Sequence, residues 1–487
     1  MDDAFAIQSE IAGKVAGVLQ AKLAMAPAAA EKPLDPDAYS AALVARAQVR
    51  SLGLEELTAA RKTYARLIDN GDVDASVLAG YAQSTMLLAQ NYLALDFNKA
   101  DAESKAAIDR ALALNPRSSE AYVARGMRCV IRTIRMADQA CVAEAGQAYA
   151  AAARLAPRDP DVLTGYANFL IKRRQPDEAQ GLLQRATTID PLNRVALMLL
   201  AGTSANLGRY DEAERRYRSV VELFPDFVDA KQELGGTLVE EGKLDEAEPW
   251  LRAAAAPGTD PSASLELANL YLNLGMTDRY NATLAAMTAP PVAPKIAEAI
   301  RKVAAADYAG ALAFVEARYA EDHDPVWASA IGDLALMSGD LEKARRVGLQ
   351  MAPDLFAPDP VVDSSMAHEA VSAAYVLDRM GDRAQARRVL AAMLAATAPR
   401  PGVRQSHRVA LPRVGALAML GQKEQALAEF KTAVAQGYRN LWDIDVWIRL
   451  DAYPELAPLK DDPRFQALIR QIETDNARMR GLVQARS

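Results

Sequence analysis

Histidine and cysteine are nearly missing from this chain, with three and two residues among 487. Two cysteines exclude a small scaffold held together by disulfides. His323, His368 and His407 lie far apart, with no HExxH or HxH spacing, so they read as no zinc site. No apolar run approaches the roughly 18 residues that a membrane helix needs, so no membrane insertion is expected. The charge has no basic excess: a net −7 argues against direct nucleic-acid binding, which leaves a basic stripe. Neither a basic n-region nor an apolar h-region opens the chain, which therefore reads as cytoplasmic. There is no Gly-Lys-Ser/Thr loop, no GxGxxG after a strand and no GxSxG elbow, nor any β-pattern to carry one. These absences predict no catalytic residues, no metal and no cofactor: a protein that is not an enzyme.

What is abundant is alanine, with 100 residues in a chain that is 51% hydrophobic. The length suits either several compact domains or one long repetitive one. Alanine favours the second, because it forms helices well and lets them approach closely while filling little core volume.

A period is visible. Pro157, Pro191 and Pro225 are 34 residues apart and close the phrases AAAARLAP, LLQRATTIDP and YRSVVELFP. Ala145, Ala179 and Ala213 each stand 12 residues before one of these prolines. Gly208, Gly242, Gly275, Gly339, Gly381 and Gly421 recur along the chain. Five residues after them come Ala213, Ala247, Ala344, Ala386 and Ala426, with Tyr280 as the exception after Gly275. Phrases such as GRYDEAERRY and GKLDEAEPWL read as a turn glycine followed by a helix, with Asp211 and Asp245 at the expected N-cap. The alanine is small because two helices meet there. The proline ends the second helix and starts the next unit.

This pattern resembles the tetratricopeptide repeat (TPR), a 34-residue helix–turn–helix unit. Unit 194–227 carries Leu197, Leu200, Ala201, Gly208, Ala213, Tyr217, Val220 and Pro225. Unit 160–193 carries Leu163, Tyr166, Ala167, Ala179, Leu183, Ala186 and Pro191. The resemblance implies an all-α fold, a right-handed TPR superhelix (α-solenoid) of about eleven helix–turn–helix units. They begin near residues 36, 75, 119, 160, 194, 228, 261, 294, 325, 367 and 407. The expected organisation is an amphipathic capping or linker helix at 1–30, a first array at 31–288, a second at 289–440 and capping helices at 441–487. Pro-rich breaks at 289–294, 352–360 and 398–402 interrupt the register.

The two ends resemble something more specific. Phe5, Ile7, Ile11, Val15, Val18, Leu19 and Leu23 form an amphipathic stripe. The words FAIQSEIA and VAGVL resemble the segment that joins a TolB N-terminal-type α/β domain to TPR arrays in bacterial regulators. Those regulators carry a class III adenylate/guanylate cyclase or a winged-helix DNA-binding domain. The phrase DPRFQALI, with Phe465, Leu468, Ile469 and Ile472 covering the last apolar face, is similar to their endings. The resemblance implies a bacterial signalling or regulatory setting. It leaves open a stand-alone scaffold or the sensory half of a cyclase or transcriptional regulator without its output domain. A periplasmic location would follow if the chain were the C-terminal half of a membrane-bound regulator.

TPR arrays hold partners on the concave face of their first helices. The positions implied there include Gln83, Met86, Ile171, Met198, Asp229, Glu240 and Leu272. The six expected to bind are Asn168, Lys172, Asn206, Gln232, Asn269 and Asn273. An asparagine amide reads both the N–H and the C=O of an extended peptide, so Asn168 and Asn269, at equivalent positions, lead. The expected partner is a protein or peptide. A Lys/Asn/Lys/Arg carboxylate clamp is missing, with Thr164 and Leu265 at matching places. Self-association through end caps and alanine-rich convex faces is a further reading. Cys129 and Cys141 flank the turn of unit 119 and read either as two core thiols or as a disulfide pair.

Overall fold

The computed structural model describes residues 34–486, apart from residues 52, 93, 137, 139, 256–260, 288–291, 323–324, 401–402 and 443–447. The expected helix at 1–30 and His323 therefore lie outside the described residues. The chain forms two compact units that divide between Thr203 and Ser204. The Pro-rich break at 289–294 falls within the second.

Among the described residues the helices follow one another in eleven sequential pairs. In the first unit these are α1 (Pro36–Ser51) with α2 (Leu54–Asn70), α3 (Ala75–Asn91) with α4 (Phe97–Leu114), α5 (Ser119–Met136) with α6 (Ala140–Leu155), and α7 (Pro160–Lys172) with α8 (Pro176–Ile189). Helix α9 (Arg194–Asn206) carries the division and is followed by α10 (Tyr210–Leu223). The second unit continues with α11 (Val228–Glu240) and α12 (Leu244–Ala254), α13 (Pro261–Asn273) and α14 (Thr277–Ala286), and α15 (Val292–Ala304) and α16 (Tyr308–Asp322). Then come α17 (Pro325–Ser338) and α18 (Leu341–Met351), α19 (Ala367–Arg379) and α20 (Arg383–Ala396), and α21 (His407–Met419) and α22 (Lys423–Ala435), before a last long helix α23 (Pro463–Ala485). Among the described residues there is no named strand, and Trp442 and Arg449 form an isolated antiparallel bridge. The fold is the all-α TPR solenoid class, and no described helix is long and apolar enough to cross a membrane.

The turn chemistry explains the register. Gly208, Gly242, Gly275, Gly339, Gly381 and Gly421 all have positive φ, between 68° and 98°. Each ends its first helix in the left-handed conformation that lets the chain reverse. Arg174 (φ 59°) and Ala306 (φ 58°) take the same place in the α7–α8 and α15–α16 turns. The alanines five residues past the glycines are buried, as is Tyr280, so helix contact sets their size.

Asp211 and Asp245 are not N-caps. Helices α10 and α12 start from Arg209 and Lys243, and the two aspartates lie in the first turn. The reason is spacing: the helix starts two residues after its glycine, so an aspartate three residues on is already inside. Where aspartate follows glycine directly, it does cap. Asp340 accepts from the Lys343 N–H and Asp382 from the Gln385 N–H, at 3.1 and 3.0 Å.

Each unit is also tied by contacts between distant repeats. In the first, Arg46 on α1 reaches Asp161 at the start of α7, with Nη2 at 2.7 Å, and Arg50 joins the same carboxylate. Arg194 donates to the Ser51 carbonyl at 2.6 Å. In the second, α23 packs against both α12 and α22. Phe465, Ile469 and Ile472 are buried there and Leu468 is half-buried.

Candidate functional site

The first helix of each pair supplies the positions expected to bind a partner, and the structure divides them. Asn168 and Lys172 stand one turn apart on α7, and both are exposed. Asn206, at the end of α9 and in the second unit, is exposed as well. Gln232 is half-buried, and its amide donates to Ser262 Oγ at 3.0 Å and to Glu266 Oε1 at 3.3 Å, linking α11 to α13. Gln83 is half-buried and Met86 is a core side chain with 0% exposure.

Asn269 and Asn273 are buried, at 3% and 4% exposure, and face no open groove. At Asn273 the reason is that the chain's own later segment lies on it, and Asn269 is bonded to Asn273. Asn273 Oδ1 accepts the N–H groups of Leu441 and Trp442, at 2.6 and 3.0 Å. Its Nδ2 donates to the Trp442 carbonyl at 3.3 Å and to the Asn269 carbonyl at 3.0 Å. Asn476, on α23, donates to the Asn273 and Arg439 carbonyls, at 3.0 and 2.9 Å. An amide that reads the N–H and C=O of an extended segment is the chemistry expected of an asparagine here. The segment it reads is internal.

The same joint continues at the α11–α12 turn. Glu240 accepts from the Ser406 hydroxyl at 3.0 Å and from the His407 N–H at 2.9 Å, placing a carboxylate at the N-terminus of α21. Gly242 and Gly437 meet backbone to backbone. The sequence offered one signal for this joint, the acidic residue at the end of α11, but nothing that named its partner.

Two buried titratable groups at the joint respond to pH in opposite senses. His407 is fully enclosed, edge-on to Tyr438 with ring centroids 4.8 Å apart, and Glu240 lies 3.9 Å from its Nδ1. Burial holds its pKa below the ordinary histidine value, Glu240 opposes this, and Arg404 and Arg439 add to it. The folded ring therefore stays neutral where the unfolded one takes a proton, and stability falls as pH drops below about 6.5. Glu241 is pushed up to about 7, first by burial and then by Asp211 and Glu214. It keeps a proton in the folded state that the unfolded chain gives up, so stability falls as pH rises from about 4.5 through about 7. Glu241→Gln should gain in melting temperature over the parent chain as pH rises from about 5 to about 8. His407→Phe should lose less than the parent between about pH 7 and pH 5. Parallel pH profiles for parent and variants would refute both assignments.

One cluster of metal-donor side chains stands apart from these positions. Among the described residues, Cys129, Cys141 and Glu144 bring two sulfurs and a carboxylate oxygen within 4.8 Å of one another. The two cysteines are free and buried, with Sγ atoms 2.9 Å apart. Burial pushes the Cys129 thiol well above its ordinary range, with Cys141 adding to it. Sequence reasoning singled out the cysteines and missed Glu144, whose signal is its place one helical turn after Cys141.

TPR family profiles match residues 142–202 and 200–264. No curated protein matches the sequence. Among solved structures, the chain is similar to a thermophilic TPR protein of Thermus thermophilus, at 18% identity over 41% of this chain and 99% of that one, with a TM-score of 0.35. It is similar to YrrB, described as a TPR protein with an unusual peptide-binding site, at 24% identity over 39% of this chain and 90% of that one, with a TM-score of 0.28. It is also similar to the APC/C hetero-tetramer Cut9–Hcn1, at 13% identity over 91% of this chain and 77% of that one, with a TM-score of 0.43. The helix pairs, their left-handed turn residues and the matched profiles agree: this is a TPR protein.

Proposed function

We propose that the chain is a non-catalytic scaffold that takes an extended protein or peptide segment on the first helix of its fourth repeat, at Asn168 and Lys172. The observation that carries this reading is their exposure one turn apart on α7, while the equivalent Asn269 is buried in the chain's own joint. Asn168 would read a peptide N–H and C=O pair, as Asn273 does internally, and Lys172 would meet an acidic side chain. Asn206 is a separate candidate in the second unit.

Pull-down of partners from a native extract, followed by titration of the partner recovered, tests this. Asn168→Ala with Lys172→Ala should weaken binding about tenfold or more, the size of a modest interface hot spot. Unchanged affinity would remove these residues from the site.

A second reading takes the chain as the sensory or assembly half of a bacterial nucleotide cyclase or transcriptional regulator. It rests on the resemblance of the two ends. The C-terminal phrase supports it, since Asp462 caps α23 and Phe465, Ile469 and Ile472 bury the face that the phrase implies. Genomic sequence continuing upstream into a cyclase or winged-helix domain would favour it, and a stop codon there would dismiss it.

A further inference from the structure

The α5–α6 hairpin brings together the chain's two cysteines. Cys129 is about two turns before the end of α5, and Cys141 and Glu144 are one turn apart at the start of α6. Described residues around them are tied together. Thr133 Oγ1 donates to the Cys129 and Asp138 carbonyls, at 3.0 and 3.1 Å. The Asp138 carboxylate accepts from Arg132 at 2.9 Å and from the Cys141 N–H at 3.4 Å. Arg132 and Arg128 both reach Asp101 on α4, at 2.6 and 2.8 Å. A network of hydrogen bonds and ion pairs thus surrounds the two sulfurs.

From this geometry we propose that Cys129, Cys141 and Glu144 form a binding site for one thiophilic divalent ion of the zinc type. The donor set fits such an ion. Two thiolates select a soft or borderline metal over magnesium or calcium. Tetrahedral zinc holds its sulfurs about 2.3 Å away, which puts them about 3.7 Å apart. From 2.9 Å the sulfurs need to separate by less than about 1 Å, and the carboxylate to close in by a similar amount. Cys129 and Cys141 are 0% and 6% exposed, whereas Glu144 is at the surface, so the ion would enter past the carboxylate and keep water in its fourth position. Two thiolates and a carboxylate around a divalent ion leave one negative charge, and Arg125 Nε is 3.8 Å from Glu144 to offset it. Both thiols must lose their protons to bind, so each ion taken up releases two protons.

The test uses the full chain, reduced and freed of metal, titrated with Cd²⁺ as a spectroscopic stand-in for zinc. The expected result is a sulfur-to-metal charge-transfer band that saturates at one equivalent, with release of two protons per ion and reversal by Zn²⁺. Cys129→Ser should abolish the band. Should that core variant fail to fold, the wild-type titration and Glu144→Gln, a surface change, decide alone. Glu144→Gln should weaken the affinity about tenfold or more. No band on the reduced wild-type chain would overturn the proposal, as would a Glu144→Gln affinity equal to the parent's. Isolation of the chain with Cys129 and Cys141 joined in the unreduced digest and no metal bound would overturn it too, and would mark the pair as a covalent staple.

Discussion

Gly242→Ala should cost about 2–5 kcal/mol of stability, while Gly381→Ala should cost about 1–2 kcal/mol. Both glycines end a first helix in the left-handed region, at φ 75° and 98°. An L-residue held there costs about 1–2 kcal/mol whatever surrounds it. At Gly381 nothing lies within 4 Å of an added Cβ, so the conformational term is the whole effect. At Gly242 the Cβ would run into the carbonyl of Gly437 and lie 2.8 Å from its Cα. Gly437, at φ 104°, faces the Glu241 carbonyl just as closely. Both obstacles are backbone, so no flexible side chain can swing aside, and overpacking of this kind adds about 1–3 kcal/mol. Urea denaturation of the two single variants measures the difference. Equal losses would mean that the two turns do not touch in solution.

That contact also shows where the sequence stopped being informative. Repeats are local, and their signals are local. The predicted starts near 36, 75, 119, 160 and 194 fall on the first residues of α1, α3, α5, α7 and α9, because proline, capping aspartate and helix period act within a few residues of one another. The six turn glycines were legible because the left-handed turn needs them. The joint that pins the second unit was not. Glu240 meets His407, Gly242 meets Gly437 and Asn273 meets Leu441, each pair separated by some 160 residues or more. No periodicity encodes such pairs. They arise from the sum of many small rotations between repeats, and single residues only complement the result. Asn269 and Asn273 therefore carried a sound chemical signal with an ambiguous object, since an amide in the right place serves an incoming peptide and an internal segment equally well. Asn168 differs from Asn269 in its neighbours, not in its residue type or its place in the repeat.

Asn273→Ala is the second large effect and tests that joint from its polar side. The substitution removes the acceptor for the Leu441 and Trp442 N–H groups and leaves Leu441 among buried surroundings. An unsatisfied buried donor costs about 1–3 kcal/mol, and the Trp442 carbonyl loses its donor as well, so the expected loss is about 2–5 kcal/mol. Asn206→Ala, on an exposed helix end, should stay within about 0.5 kcal/mol of the parent. Hydrogen exchange separates local from global effects. If Asn273 holds the 437–442 segment, the Leu441 and Trp442 amides in the variant should exchange faster than the loss of global stability alone allows, while amides in α19 and α20 follow the global change. A variant as stable as Asn206→Ala, with unchanged protection at Leu441 and Trp442, would show that the amide is incidental. The apolar contacts of α23 against α12 and α22 would then carry the closure of the second unit by themselves.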